Sequence, residues 1–128
     1  MNNLSRYTPW AFAVLRIMVG LLFLEHGTQK LLGFPPGGNP APALMTLGWV
    51  QGLIELIGGI VFTVGLFTPA IAFFLCGDMA FAYFMLHAPK NFFPMLNGGD
   101  AAILFCFAFL FFVFSGAGPA SIDAARRK

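Results

Sequence analysis

Four apolar runs, at residues 10–32, 45–67, 70–87 and 99–115, take up most of this chain. Crossing the hydrocarbon of a bilayer takes roughly 17–25 mainly apolar residues in helical form. The first two runs meet that length and the last two lie near its lower limit, so their ends extend into the flanking loops. The pattern is helical: residues 103–114 are apolar at every position, whereas a membrane barrel strand alternates apolar and polar residues. Charged residues make up 9% of the chain and hydrophobic ones 59%. An ordinary soluble domain carries about 25% charged residues, so a water-facing surface cannot be assembled here. The expected fold is an all-α, polytopic membrane four-helix bundle, up-down-up-down, forming a single domain over 1–128.

Orientation follows from the basic residues. Arg6 precedes the first run, and Arg126, Arg127 and Lys128 follow the last; Lys30 and Lys90 stand at the long connections. With four spans both termini share a side, and the positive-inside bias puts them in the cytoplasm. This is the expectation for a multi-pass protein of a bacterial-type inner membrane, with the lipid bilayer as its first partner. Arg16, Glu25 and Lys30 interrupt the first run, which reads as a span and not as a cleaved leader. No basic stripe with interleaved aromatic residues occurs, so no nucleic-acid partner is expected.

The connections are marked by helix breakers. Pro35, Pro36, Pro40 and Pro42 fill the first one and cannot continue a helix. The second, Leu66-Phe67-Thr68-Pro69, is a tight turn that predicts antiparallel neighbours on either side. The third carries Pro89, Pro94 and an Asn97-Gly98-Gly99 turn signal. Its Phe92, Phe93, Met95 and Leu96 are too apolar for a freely solvated loop, so it is expected to fold back onto the bundle mouth or lie at the interface.

Within these runs lie groups that hydrocarbon does not tolerate cheaply. An ionisable side chain at bilayer depth costs at least a few kcal/mol, and its default reading is a paired, functional group. Arg16, Glu25 and His26 lie in the first run, Glu55 in the second, Asp78 and His87 in the third, and Asp100 opens the fourth. On the second run Gly48, Gly52, Glu55, Gly59 and Phe62 share one helical face, with Gln51 and Gly58 beside them. Small residues in membranes let helices approach closely. Arg16, Gly20, Phe23, Gly27 and Lys30 form a comparable stripe on the first run. Arg16 stays charged and can hold a carboxylate ionised, so an Arg16–Glu55 structural ion pair is expected, with Asp78 as the alternative partner. A proton or cation site at Glu55 is the competing reading.

Further toward the outer end, His26, Gln29 and Lys30 cluster on the first run. Tyr83 and His87 stand four residues apart on the third, and Asn97 and Asp100 lie at similar depth. His26, Lys30, Glu55, Tyr83, His87 and Asp100 are therefore the candidates for a substrate or proton site, with no catalytic residue singled out. A histidine near neutrality beside a carboxylate suits proton-coupled chemistry. Two His with carboxylates invite a metal, but their spacing matches no metal signature and none is expected. No covalent cofactor motif is present. Cys76 and Cys106 form no Cys-x-x-Cys pair and read as two small, buried apolar residues.

The chain resembles the DoxX family of small four-helix membrane proteins. The likeness is carried by Leu15-Arg16-Ile17, by Phe23 with His26-Gly27 and Lys30-Leu31, by Ile54-Glu55 with Gly58-Gly59, and by Gly65-Leu66 with Thr68. It continues through Met79, Ala82-Tyr83-Phe84, His87, Pro89, Phe92-Phe93-Pro94 and Asn97-Gly98-Gly99. Pro69 stands where members often have Arg, and Asp100 where they often have Glu. The resemblance implies a membrane subunit of a redox system, handling a quinone or a small sulfur or oxygen species, alone or with a redox partner protein or as a homo-oligomer. Fold does not fix function. A small-solute or proton-coupled transporter and a non-catalytic membrane anchor or assembly partner stand beside that reading, and whether the chain is itself catalytic stays open.

Overall fold

The computed structural model describes residues 3–127, and the regular structure among them is helical, with no strand. After a 3₁₀ turn at Asn3–Tyr7 come α1 (Thr8–Leu32), α2 (Leu47–Val64) and α3 (Thr68–Ala82). A π-helical turn at Tyr83–His87 and a 3₁₀ turn at Ala88–Lys90 extend α3. The short α4 (Pro94–Asn97), α5 (Asp100–Ser115) and α6 (Ile122–Arg126) complete the chain. Three stretches are long and apolar enough to cross a membrane: Asn3–Leu32, Leu47–Val64 and Thr68–Lys90. The fourth expected span, α5, has only 16 residues. At 1.5 Å per residue it covers about 24 Å of a hydrocarbon layer near 30 Å. Only 28%, 28% and 22% of the apolar windows of the three long stretches are buried. Their remaining apolar surface suits lipid rather than water.

The residues form two compact units. The first runs up to Phe67 and resumes at Ala117, and its centre is the antiparallel pair α1 and α2. The two helices meet through glycine. Cβ atoms added at Gly20 or Gly27 would collide with Thr63 and with the backbone of Leu56. One added at Gly59 would lie 2.9 Å from Cα of Leu24, and one at Gly52 would lie 3.1 Å from Cγ of Leu31. These four contacts fix a single register, in which each residue of α1 faces the α2 residue whose number makes a sum of 83 with its own. Larger side chains have nowhere to go there. Gly27→Val or Gly59→Leu is expected to cost about 1–3 kcal/mol through overpacking, read as a lower melting temperature in detergent. Gly77, on α3, has open space around it, and Gly77→Ala is expected to be neutral or slightly stabilising.

The second unit, Thr68–Gly116, is built on α3 and α5. Ala72, Leu75, Met79 and Ala82 of α3 and Ala102, Phe109 and Phe112 of α5 are buried. The two helices are antiparallel, since Cys76 meets Cys106 while Gly99, just before α5, abuts the ring of Tyr83.

Candidate functional site

In the first unit the buried carboxylate is held by lysine. Glu55 lies halfway along α2, and its Oε1 accepts a hydrogen bond from Lys30 Nζ at 2.8 Å and a longer one from Gln51 Nε2 at 3.5 Å. The Glu55 side chain is 5% exposed and that of Lys30 37%. Gly52 explains how the lysine arrives. With no side chain at that position, the stem of Lys30 crosses α2 one turn from Glu55; a Cβ at Gly52 would lie 3.3 Å from Cβ of Lys30. The other carboxylate oxygen, Oε2, is buried with no hydrogen-bond partner among the described residues. Buried polar atoms are nearly always satisfied, and an exception marks strain, function or a site for a water or ion.

Lys30 also lines a pocket of about 240 Å³ of mixed polar and apolar lining with Gln29, Asn39, Pro40, Pro42 and Gly48. The first connection forms its roof, tied down where Gln29 Nε2 donates to the Pro35 carbonyl at 3.2 Å. One side chain thus touches both the pocket and the buried carboxylate. Sequence reasoning found Gln29 and Lys30 but not Asn39, which lies in a proline- and glycine-rich stretch with no helical period to place it.

The expected Arg16–Glu55 pair does not form. In the α1–α2 register Glu55 faces residue 28, twelve residues beyond Arg16 or about 18 Å along the helix, which no arginine side chain spans. Arg16 is fully buried and serves backbone carbonyls instead. Its Nε donates to Thr63 at 3.3 Å, its Nη1 to Ala117 and to Pro119 (3.3 Å), and its Nη2 to Ala120 at 2.7 Å. Left-handed backbone at Gly118 and Ala120 curls the returning chain around the guanidinium. The same chain is fastened again where Asp123 Oδ1 accepts from the Phe67 amide at 2.8 Å and the Asp123 amide donates to the Gly65 carbonyl at 2.9 Å. Arginine's planar fork of five donors suits such a cradle.

In the second unit Tyr83 and His87 do come together. They lie on the π-helical turn, with rings stacked 6.3 Å apart at 25°. Between them and the third connection sits Asn97, which is 3% exposed. Its Nδ2 donates to Tyr83 Oη at 3.2 Å and to the Asn91 carbonyl at 2.9 Å, and its Oδ1 accepts from the Gly99 amide at 2.8 Å. His87 Nδ1 lies 3.0 Å from the Asn97 carbonyl oxygen. The connection is therefore folded as expected, but by amide and phenol, while Phe92 and Met95 remain 85% and 83% exposed. Asn97→Ala leaves several of these partners unmade and is expected to cost about 1–3 kcal/mol, seen as faster amide exchange across residues 91–99.

His26 is exposed on α1. Asp100 is exposed in the first turn of α5, where the helix dipole favours a carboxylate. Asp78 lines an apolar groove of about 340 Å³ with Phe73, Phe74, Gly77 and Phe81. Cys76 and Cys106, thirty positions apart, bring their sulfur atoms to 3.7 Å.

The DoxX family model matches residues 11–88. An uncharacterized protein of Haemophilus influenzae is 48% identical over 132 residues, covering 96% of each chain. No solved structure matches the chain. With most of the sequence matched to the family and a full-length relative at this identity, the chain belongs to the DoxX family of membrane proteins.

Proposed function

We propose that this protein is an integral membrane subunit of a redox system, and that Lys30 and Glu55 are its proton-handling pair beneath a pocket for a quinone headgroup or a small sulfur or oxygen species. The carrying observation is Lys30 itself, which lines the pocket and holds a carboxylate buried halfway along a membrane helix. A buried ion pair is weak evidence for stability, because desolvation offsets most of the Coulombic gain. Its presence in hydrocarbon is better explained by use. A group that accepts or releases a proton in the pocket changes the charge balance on Lys30 and so on Glu55. The redox part of the reading rests on the family resemblance, and placement in a bacterial inner membrane with the terminal segments cytoplasmic rests on the basic residues at the chain ends. Purification in mild detergent should yield bound quinone, and deletion of the protein should lower quinol-linked activity in membranes. Absence of quinone together with unchanged activity would sink the proposal.

Proton-coupled solute transport is the second reading, favoured by a carboxylate buried halfway along a membrane helix. It predicts proton-driven uptake in liposomes that is lost in Glu55→Gln, with no bound quinone.

A further inference from the structure

We propose that Cys76 and Cys106 are a modification site, a membrane-embedded dithiol that a lipid hydroperoxide converts to a disulfide joining α3 to α5. Both thiols are free and half-buried, at the margin of the packed α3–α5 face, so each is reachable from the hydrocarbon side. Their sulfur atoms are 3.7 Å apart, in contact, and side-chain rotation need close less than about 2 Å to reach the disulfide bond length. Nothing in the sequence spacing enforces this. It follows from the antiparallel register that also sets Tyr83 against Gly99.

The oxidant class follows from location. Cys76 is the ninth residue of the continuous helical stretch Thr68–Lys90 and Cys106 the seventh of α5, so both thiols lie well inside their helices, within apolar sequence. An oxidant must be soluble there, and acyl-chain hydroperoxides form in that phase. In the first step one thiol sulfur attacks the distal peroxide oxygen. An S–O bond forms, the O–O bond breaks, and the leaving alkoxide takes the thiol proton to become a lipid alcohol. In the second step the other thiol attacks the sulfenic sulfur. The S–S bond forms, the S–O bond breaks, and the departing hydroxide takes the second thiol proton as water. Two electrons pass from the dithiol to the peroxide, and no further reactant is needed. The reaction is stoichiometric, one event per chain, and leaves a covalent tie inside the second unit.

The test uses the full chain in phospholipid liposomes treated with cumene hydroperoxide. The expected result is an intact mass lower by two hydrogens, loss of both maleimide-reactive thiols, a monomeric band on non-reducing gels, and reversal by a permeant reductant. Cys76→Ala and Cys106→Ala should each stop at a single oxidised or unmodified thiol with no loss of two hydrogens. Wild-type protein that keeps both thiols reactive under these conditions, or that cross-links only between chains, would overturn the proposal. Because both alanine variants preserve a small apolar side chain, the comparison also stands if one of them expresses poorly and the other does not.

Discussion

Replacing Arg16 with methionine is expected to destabilise the protein by about 4 kcal/mol or more, placing it in the class of exceptional single substitutions. The physical reason is the receiving side of its hydrogen bonds. The guanidinium satisfies the carbonyls of Thr63, Ala117, Pro119 and Ala120 at once, and hydrogen bonds to a charged group contribute about 1.5–3 kcal/mol each before non-additivity. Methionine fills comparable space but offers no donor. The chain that returns at Ala117–Ala120 then loses its main attachment, so Arg16→Met should also expose residues 117–127 to limited proteolysis. Arg16→Lys keeps the charge without the planar fork and should fall between the two. Denaturation in detergent, followed by circular dichroism, reads the order. A methionine variant within about 0.5 kcal/mol of wild type, the ordinary range for an inert surface change, would show that the carbonyl cradle contributes nothing.

Lys30 and Glu55 should behave asymmetrically. Lys30→Met leaves a carboxylate buried without its cation, and breaking one side of a buried pair costs about 3–5 kcal/mol. Glu55→Gln leaves a lysine that is 37% exposed and can turn toward the pocket, so it should cost about 1 kcal/mol, the net value of an ordinary hydrogen bond. The double variant removes both charges and should return to within about 1 kcal/mol of wild type, since an apolar or neutral replacement of a buried pair is often neutral. Activity should not return with it. Quinol-linked activity is expected to be lost in Glu55→Gln, Lys30→Met and the double variant alike, which separates the pair's role in function from its role in stability. Retained activity in Glu55→Gln would remove Glu55 from the mechanism, whatever its effect on folding.

Much of the helical layout was legible because hydrocarbon imposes a length and a composition that a sequence displays openly. The loop prolines and glycines end helices where local rules say they should, and Gly33, Gly65 and Gly98 take the left-handed conformation at helix ends. That Glu55 would be paired was legible too, since a carboxylate in an apolar run is costly unless it is matched. Its partner was not. Arg16 and Lys30 lie on the same stripe of α1, and choosing between them needs the register against α2, which four glycine contacts set. The same holds for Asn97: a turn signal marked it, but nothing local said that its amide would be buried against Tyr83 and the Asn91 carbonyl.

By itself the sequence determined that this chain is helical, membrane-embedded and charged in places where charge must be matched, because those properties depend on composition and on short-range periodicity. The tertiary structure decided which charge matches which. It gave Glu55 to Lys30 and gave Arg16 to the carbonyls of the returning chain. It also brought Cys76 to Cys106. The Glu55–Lys30 and Cys76–Cys106 pairings depend on the axial offset between two helices, and a shift of a single turn, about 5 Å, would have exchanged those partners while leaving the apolar pattern unchanged; the Arg16 pairing depends on where the chain after α5 returns.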